Sequence, residues 1–168
     1  NPLGGVAVVA ASTWSAMQGA KALNIEWTQN EHSHYQFEDE KQALIASAQK
    51  GGETVRSKGD APAVLASSDK VIESTYFAPL LAQAPMEPPA ATAHVQGDKA
   101  EIWACTQTPQ ATRNNVAGAL GIPADNVTVN VTLLGGGFGR KSKPDYAAEA
   151  ALLSKQTGAP VKLIWRRE

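Results

Sequence analysis

The stretch Gly135-Gly136-Gly137-Phe138-Gly139-Arg140-Lys141 puts four glycines in five positions between an apolar run and a helical pattern. A glycine costs about 0.5–1 kcal/mol relative to alanine in regular structure, because it loses more chain entropy on folding. One or two glycines after a strand need supply no more than a turn. Four are more than a turn requires, so the stretch is read as a loop that brings bare backbone against a ligand. Two generic phosphate loops can be tested on it. In the pattern GxxxxGK[ST], Gly135 and Lys141-Ser142 fall in register, but Arg140 stands where the second glycine must let the chain curl round a phosphate. The pattern GxGxxG fits at Gly135 and Gly137 and fails at the same arginine. On a nucleotide-binding reading, Arg140→Gly should improve ATP or GTP binding.

Other chemistry-bearing residues are weaker. Glu31, His32 and His34 could pinch a metal, yet histidines two apart in a polar loop are ordinarily solvated. His94 reads as a surface strand residue, and Cys105, the only cysteine, as a buried inert thiol. Glu87 lies among Pro85, Pro88 and Pro89 and reads as an acceptor for backbone donors that braces its loop. Trp14, Trp27, Trp103 and Trp165 are expected to pack the core. Arg166-Arg167 reads as an interface patch or a solubilising pair.

The elements that must position the glycine loop come next. The chain has 168 residues, 43% hydrophobic and 18% charged, enough to bury a core. Its net charge of -1 gives no electrostatic footprint for nucleic acid or an anionic membrane. One cysteine excludes an internal disulfide or a cysteine-cluster metal site. No apolar run approaches the roughly 18 residues of a spanning helix. The opening Asn1-Pro2-Leu3-Gly4-Gly5 lacks an initiator methionine, and the chain is expected to be a fragment of something longer.

Val6–Ala10 and Asn24–Trp27 predict strands around a helix capped by Ser12 or Thr13 and ending near Leu23. Helices are also predicted over Lys41–Lys50 and from Asp60 to about Ser67, and Lys70–Phe77 alternates as a strand. Ala91–Val95 and Ala100–Ala104 flank Gly97-Asp98-Lys99 as a hairpin. Pro109 starts a helix that Gly121 stops, and Asn126–Leu134 predicts a strand leading into the glycine loop. A helix over Pro144–Thr157, stopped by Gly158, precedes a strand over Val161–Trp165. The fold class is α+β, mixed sheets with packed helices. The expected division is 1–78, an N-terminal α/β lobe with a polar surface excursion, and 79–168, the lobe with the glycine loop.

Four ordered motifs then carry a resemblance: Gln83-Ala84-Pro85-Met86-Glu87-Pro88, Cys105-Thr106-Gln107-Thr108-Pro109-Gln110, Leu120-Gly121-Ile122-Pro123, and Leu134 to Lys141. Together the chain resembles the molybdenum-binding subunit of the xanthine oxidase and aldehyde oxidase family, most specifically between Pro85 and Arg140. The resemblance implies a molybdopterin-binding region. By position, Gln107 would hydrogen-bond a molybdenum oxo ligand, and Gly136, Gly137, Phe138 and Gly139 would lay backbone amides on the pterin. A neutral amide can polarise an oxo ligand without competing for the metal. Two positions depart from the family pattern. Ser142 stands where xanthine oxidases carry an acidic substrate contact, so substrate identity does not carry over, and Gln83 replaces a histidine.

The resemblance further implies a parent enzyme that hydroxylates aldehydes or N-heterocycles with water-derived oxygen. Its cofactor would be a molybdopterin cytosine dinucleotide and its partners the rest of the large subunit, a 2Fe–2S small subunit and a cytochrome c acceptor. Periplasmic placement is the matching expectation. The family's glutamate base would lie beyond Glu168, so no catalytic residue and no metal ligand is assigned here, and the isolated chain is expected to lack cofactor and turnover. The readings set against it are a P-loop-like nucleotide-binding domain and a noncatalytic partner-binding module.

Overall fold

A computed structural model of the chain describes residues 5–31 and 33–167. They form two compact units, one of Ala7–Phe77 and one of Ala78–Glu168 with the described part of Asn1–Val6.

The larger unit is built on a four-stranded sheet of β1 (Ala90–Gln96), β2 (Lys99–Ala104), β3 (Val127–Val131) and β4 (Val161–Ile164), in the order β3-β2-β1-β4. A two-residue turn, Gly97-Asp98, joins β1 and β2, which pair antiparallel from Ala91↔Ala104 to Gln96↔Lys99. β4 pairs antiparallel with the first half of β1. β2 and β3 are parallel, which requires a crossover, and helix α4 (Pro109–Leu120) supplies it. Helix α5 (Asp145–Thr157) connects the glycine loop to β4. Pro109 opens α4, and Gly121 and Gly158 end α4 and α5 in left-handed conformation.

Strand alternation sends Ala91, Ala93, Val95, Ala100, Ile102 and Ala104 to one face, where they pack with Val116 and Leu120 of α4 and Ala147, Ala150 and Ala151 of α5. Alanines on both sides of the α5–β1 contact let the helix lie close to the sheet. β4 pairs β1 only over Ala90–Ala93, so the Val95 N–H lies beyond its end. The Ser154 hydroxyl, fully buried on α5, accepts that N–H at 3.0 Å and donates to Ala159 O at 2.7 Å. This mixed sheet with packed helices is the α+β class the sequence predicts.

The smaller unit departs from expectation. It contains α1 (Thr13–Ala22), capped by the Ser12 hydroxyl, and α2 (Phe37–Lys50), whose first turn carries Glu38, Asp39 and Glu40 against the helix dipole. It also contains α3 (Ala61–Ala66), capped by Asp60. The strands expected at 6–10, 24–27 and 70–77 do not form among the described residues. A strand exists only by pairing, and these apolar runs find no partner edge. Trp14 and Trp27, expected in the core, are 69% and 68% exposed. No residue of α1, α2 or α3 is buried, and the clearest apolar contact of the unit is the edge-to-face pair Phe37–Phe77. Trp103 and Trp165 are half-buried, Trp165 against the sheet core.

Candidate functional site

Because β2 and β3 are parallel neighbours, their C-terminal ends emerge side by side. Ala104 opposes Val131, and the Thr132 N–H donates to Ala104 O at 3.1 Å before the ladder stops. The chain beyond β2 is Cys105-Thr106-Gln107, and the chain beyond β3 leads to the glycine loop. Sheet topology thus unites residues about thirty positions apart at the carboxyl edge of parallel strands, where open α/β sheets place ligands.

Gln107 and the loop are in direct contact. The Gly139 N–H donates to Gln107 Oε1 at 3.1 Å. A Cβ on Gly137 would overlap Gln107 Oε1 and come within 2.5 Å of its Cδ, so glycine is what lets the backbone seat against Gln107 in its present position. On Gly135 it would fall 2.5 Å from the Glu87 Cβ. Gly136 and Gly139 have φ of 92° and 85°, and between them Phe138 holds a φ of 51°, which a bulky side chain rarely adopts, with its ring 73% exposed. The Oε1 of Gln107 being used as an acceptor, its Nε2 is the free end. Neither it nor the N–H groups of Gly136, Gly137 and Phe138 has a partner among the described residues.

A polar frame holds this arrangement. The Glu87 N–H donates to Gly135 O and the Gly135 N–H donates to Glu87 Oε2, both at 3.0 Å. Lys141, with no exposed surface, donates from Nζ to the same Oε2 at 2.7 Å. Burial by itself would raise the Glu87 carboxyl. The Lys141 ammonium and the Gly135 N–H outweigh it and hold the group below the ordinary carboxylate value. The Lys141 carbonyl accepts from the Gln107 N–H at 3.1 Å and the Thr106 hydroxyl at 3.2 Å. Tyr146 donates to Cys105 O at 2.9 Å, and burial pushes its phenol up to about 12. Arg140 forks onto Asp145 at 3.0 and 3.1 Å and lies 4.7 Å over the Trp165 ring, whose indole N–H donates to Glu149.

Gln107, Gly136, Gly137, Phe138 and Gly139 therefore lie together. Glu87 accepts a backbone donor, and Cys105 is buried with its thiol 3.5 Å from Ala90 O. The phosphate-loop reading gains nothing. Its lysine is turned inward onto Glu87, Arg140 is committed to Asp145, and the loop runs into a 3-10 turn, Arg140–Ser142, instead of opening a helix. His32 lies outside the described residues, among which no group of three or more His, Cys, Asp or Glu could hold a metal ion. Sequence reasoning missed the burial of Lys141. A lysine between Arg140 and Ser142 looks solvated, and its partner is 54 positions away.

Comparison with known proteins identifies the family of the chain. The sequence model of the molybdopterin cofactor-binding domain matches residues 26–168. The isoquinoline 1-oxidoreductase subunit beta of Brevundimonas diminuta is 43% identical over 108 residues, 63% of this chain and 14% of that protein. The aldehyde oxidoreductase molybdenum-binding subunit PaoC of Escherichia coli K12 is 30% identical over 96% of this chain and 22% of its own length. The crystal structure of quinoline 2-oxidoreductase from Pseudomonas putida 86 superposes with a TM-score of 0.70 at 25% identity, covering 94% of this chain and 21% of that one. The chain thus spans no more than about a fifth of these relatives. With the match running through both strand ends and the glycine loop, the chain belongs to the molybdopterin cofactor-binding domain family.

Proposed function

We propose that this chain supplies one wall of the cofactor site in a molybdenum hydroxylase large subunit, with Gln107, Gly136, Gly137, Phe138 and Gly139 facing the cofactor. The observation that carries the reading is the seating of Gly137 on Gln107. It leaves the Gln107 Nε2 and three loop N–H groups without partners among the described residues, at the carboxyl edge of parallel strands. These four free donors suit a flat, acceptor-rich, anionic group. The residues present therefore fit the cofactor that the family is named for.

Molybdopterin-bound molybdenum supplies a two-electron oxidation that places water-derived oxygen on carbon. The chain's own part is to bind and orient. Gln107 Nε2 offers a neutral donor that lends polarisation without a ligand bond to the metal. The loop amides offer donors already fixed by the frame around Glu87 and Lys141, so little reorganisation is needed when charge builds on an acceptor. Gly136 and Gly137 present no side chain to hold a flat ring away.

The relatives' names support a parent enzyme acting on an aldehyde or an N-heterocycle, and two of them name subunits. The proposal extends to a molybdopterin cytosine dinucleotide, a 2Fe–2S small subunit and a cytochrome c acceptor. Among the described residues no helix is long and apolar enough to cross a membrane. The base and substrate-positioning groups are assigned to the remainder of that subunit, so the chain alone should show no turnover.

The test is made in the full-length subunit with Gln107→Ala and Gln107→Glu. Both should retain fold, perturb the EPR spectrum of the molybdenum centre and lower kcat by about 100-fold or more, the scale for losing one preorganised donor. A Gln107→Ala enzyme with unaltered spectrum and turnover would defeat the proposal.

A further inference from the structure

The loop that carries the free donors is held by little apolar packing. Leu133 is 95% exposed and Phe138 73%, and three positive-φ residues, Gly136, Phe138 and Gly139, fall within the loop. A non-glycine residue held in that region, as Phe138 is, persists only where its surroundings over-determine it. Here the surroundings are polar, and they meet at one residue.

Lys141 binds at both ends. Its carbonyl takes the Gln107 N–H and the Thr106 hydroxyl, which fixes the chain just beyond β2. Its ammonium, fully buried, takes Glu87 Oε2, and that oxygen also takes the Gly135 N–H at the start of the loop. Glu87 returns its own N–H to Gly135 O. Three segments far apart in sequence, 85–89, 105–107 and 135–141, are thereby locked in one register. An ion pair with its lysine buried and its carboxylate partly exposed is weak evidence for stability, since apolar residues of like volume often serve as well or better. Its value is directional, because hydrogen bonds of this kind admit one arrangement.

We infer that Glu87 and Lys141 are a positioning pair that sets the placement of Gln107 and the glycine-loop donors toward the ligand, an assignment that rests on the cofactor-site reading above. Lys141 does not offer its charge to the ligand. It is sealed from solvent, and Glu87 spends one oxygen on Lys141 and Gly135. Substituting either should therefore displace donors without removing one.

The experiment uses the full-length subunit and four variants, Lys141→Met, Glu87→Ala, Glu87→Gln and Gln107→Ala. Hydrogen exchange of peptides spanning 104–110 and 133–141 is measured without cofactor, and the molybdenum EPR spectrum, kcat and KM with it. Lys141→Met should speed exchange in both peptides about tenfold or more, shift the EPR spectrum and lower kcat about tenfold with KM within threefold. Glu87→Ala leaves a buried ammonium unpartnered, so Lys141→Met is the leading variant. Glu87→Gln keeps an acceptor oxygen and should restore most of the protection, the spectrum and the rate. Unchanged exchange in Lys141→Met overturns the pair as a clamp. Faster exchange with unchanged spectrum and kcat overturns its role toward the ligand. If Gln107→Ala alone leaves spectrum and rate intact, the cofactor-site reading has failed instead, the role toward the ligand falls with it, and the exchange arm still judges the clamp.

Discussion

Gly137→Ala separates function from stability in this site more cleanly than any other single change. Gly137 is not among the positive-φ glycines, so its backbone accepts an alanine, and a compatible Gly→Ala change stabilises by about 0.4–1 kcal/mol through the unfolded chain. The new methyl overlaps Gln107 Oε1 and lies 2.5 Å from Cδ and 3.0 Å from Cγ. Gln107 is exposed and can swing away, at the cost of the Gly139 N–H bond, a net loss of about 0.5–1.5 kcal/mol. The two terms nearly cancel, leaving a stability change within about 1 kcal/mol, which moves a melting midpoint by only a few degrees. The Gln107 donor, however, is displaced altogether. Turnover of the full-length subunit should fall about 100- to 1,000-fold, as for loss of a fixed donor at a reacting oxygen. The assay pairs thermal unfolding with kcat at measured molybdenum content. Turnover within threefold of the parent protein would refute the placement of Gln107. A large loss of stability would refute the claim that Gln107 is free to move.

Two further predictions probe the frame. Ser154→Ala should cost about 2 kcal/mol, because the Val95 N–H loses its acceptor in a buried setting, whereas Thr157→Ala on the exposed side of α5 should stay within about 0.5 kcal/mol; urea unfolding measures both. Glu87 is held below its ordinary value in the folded chain, so its contribution is complete above the unfolded carboxylate pKa of about 4.3 and is lost as pH falls through the lower folded value. Protection of the 133–141 amides, corrected for intrinsic exchange, should therefore decline below about pH 4 in the parent and not in Glu87→Gln; equal declines would contradict it.

What the sequence made legible is what local chemistry encodes. The hairpin declared itself through Gly97-Asp98, α4 through Pro109 and Gly121, and α5 through Tyr146, Ala150, Leu152 and Leu153 at helical spacing and Gly158. β3 ends at Val131 instead of Leu134, because the ladder to β2 stops at Ala104 and leaves Leu133 in solvent. That limit is set by the length of the neighbouring strand, which no pattern within 126–134 can report. The expected strands of the smaller unit failed for the same reason, since apolar runs acquire strand character only from a partner edge. Within the site, the glycine run announced close backbone approach, while the role proposed for Gln107 came from motif resemblance. The burial of Lys141 was illegible, being decided by a carboxylate 54 residues earlier.

On the function proposed above, Gln107 and the glycine loop face the cofactor. Anomalous diffraction at the molybdenum edge from crystals of the loaded full-length subunit tests it most directly. The metal centre is expected beside this loop, with an oxygen ligand about 3 Å from Gln107 Nε2. A metal peak on another face of the domain, with Gln107 open to solvent, would contradict it.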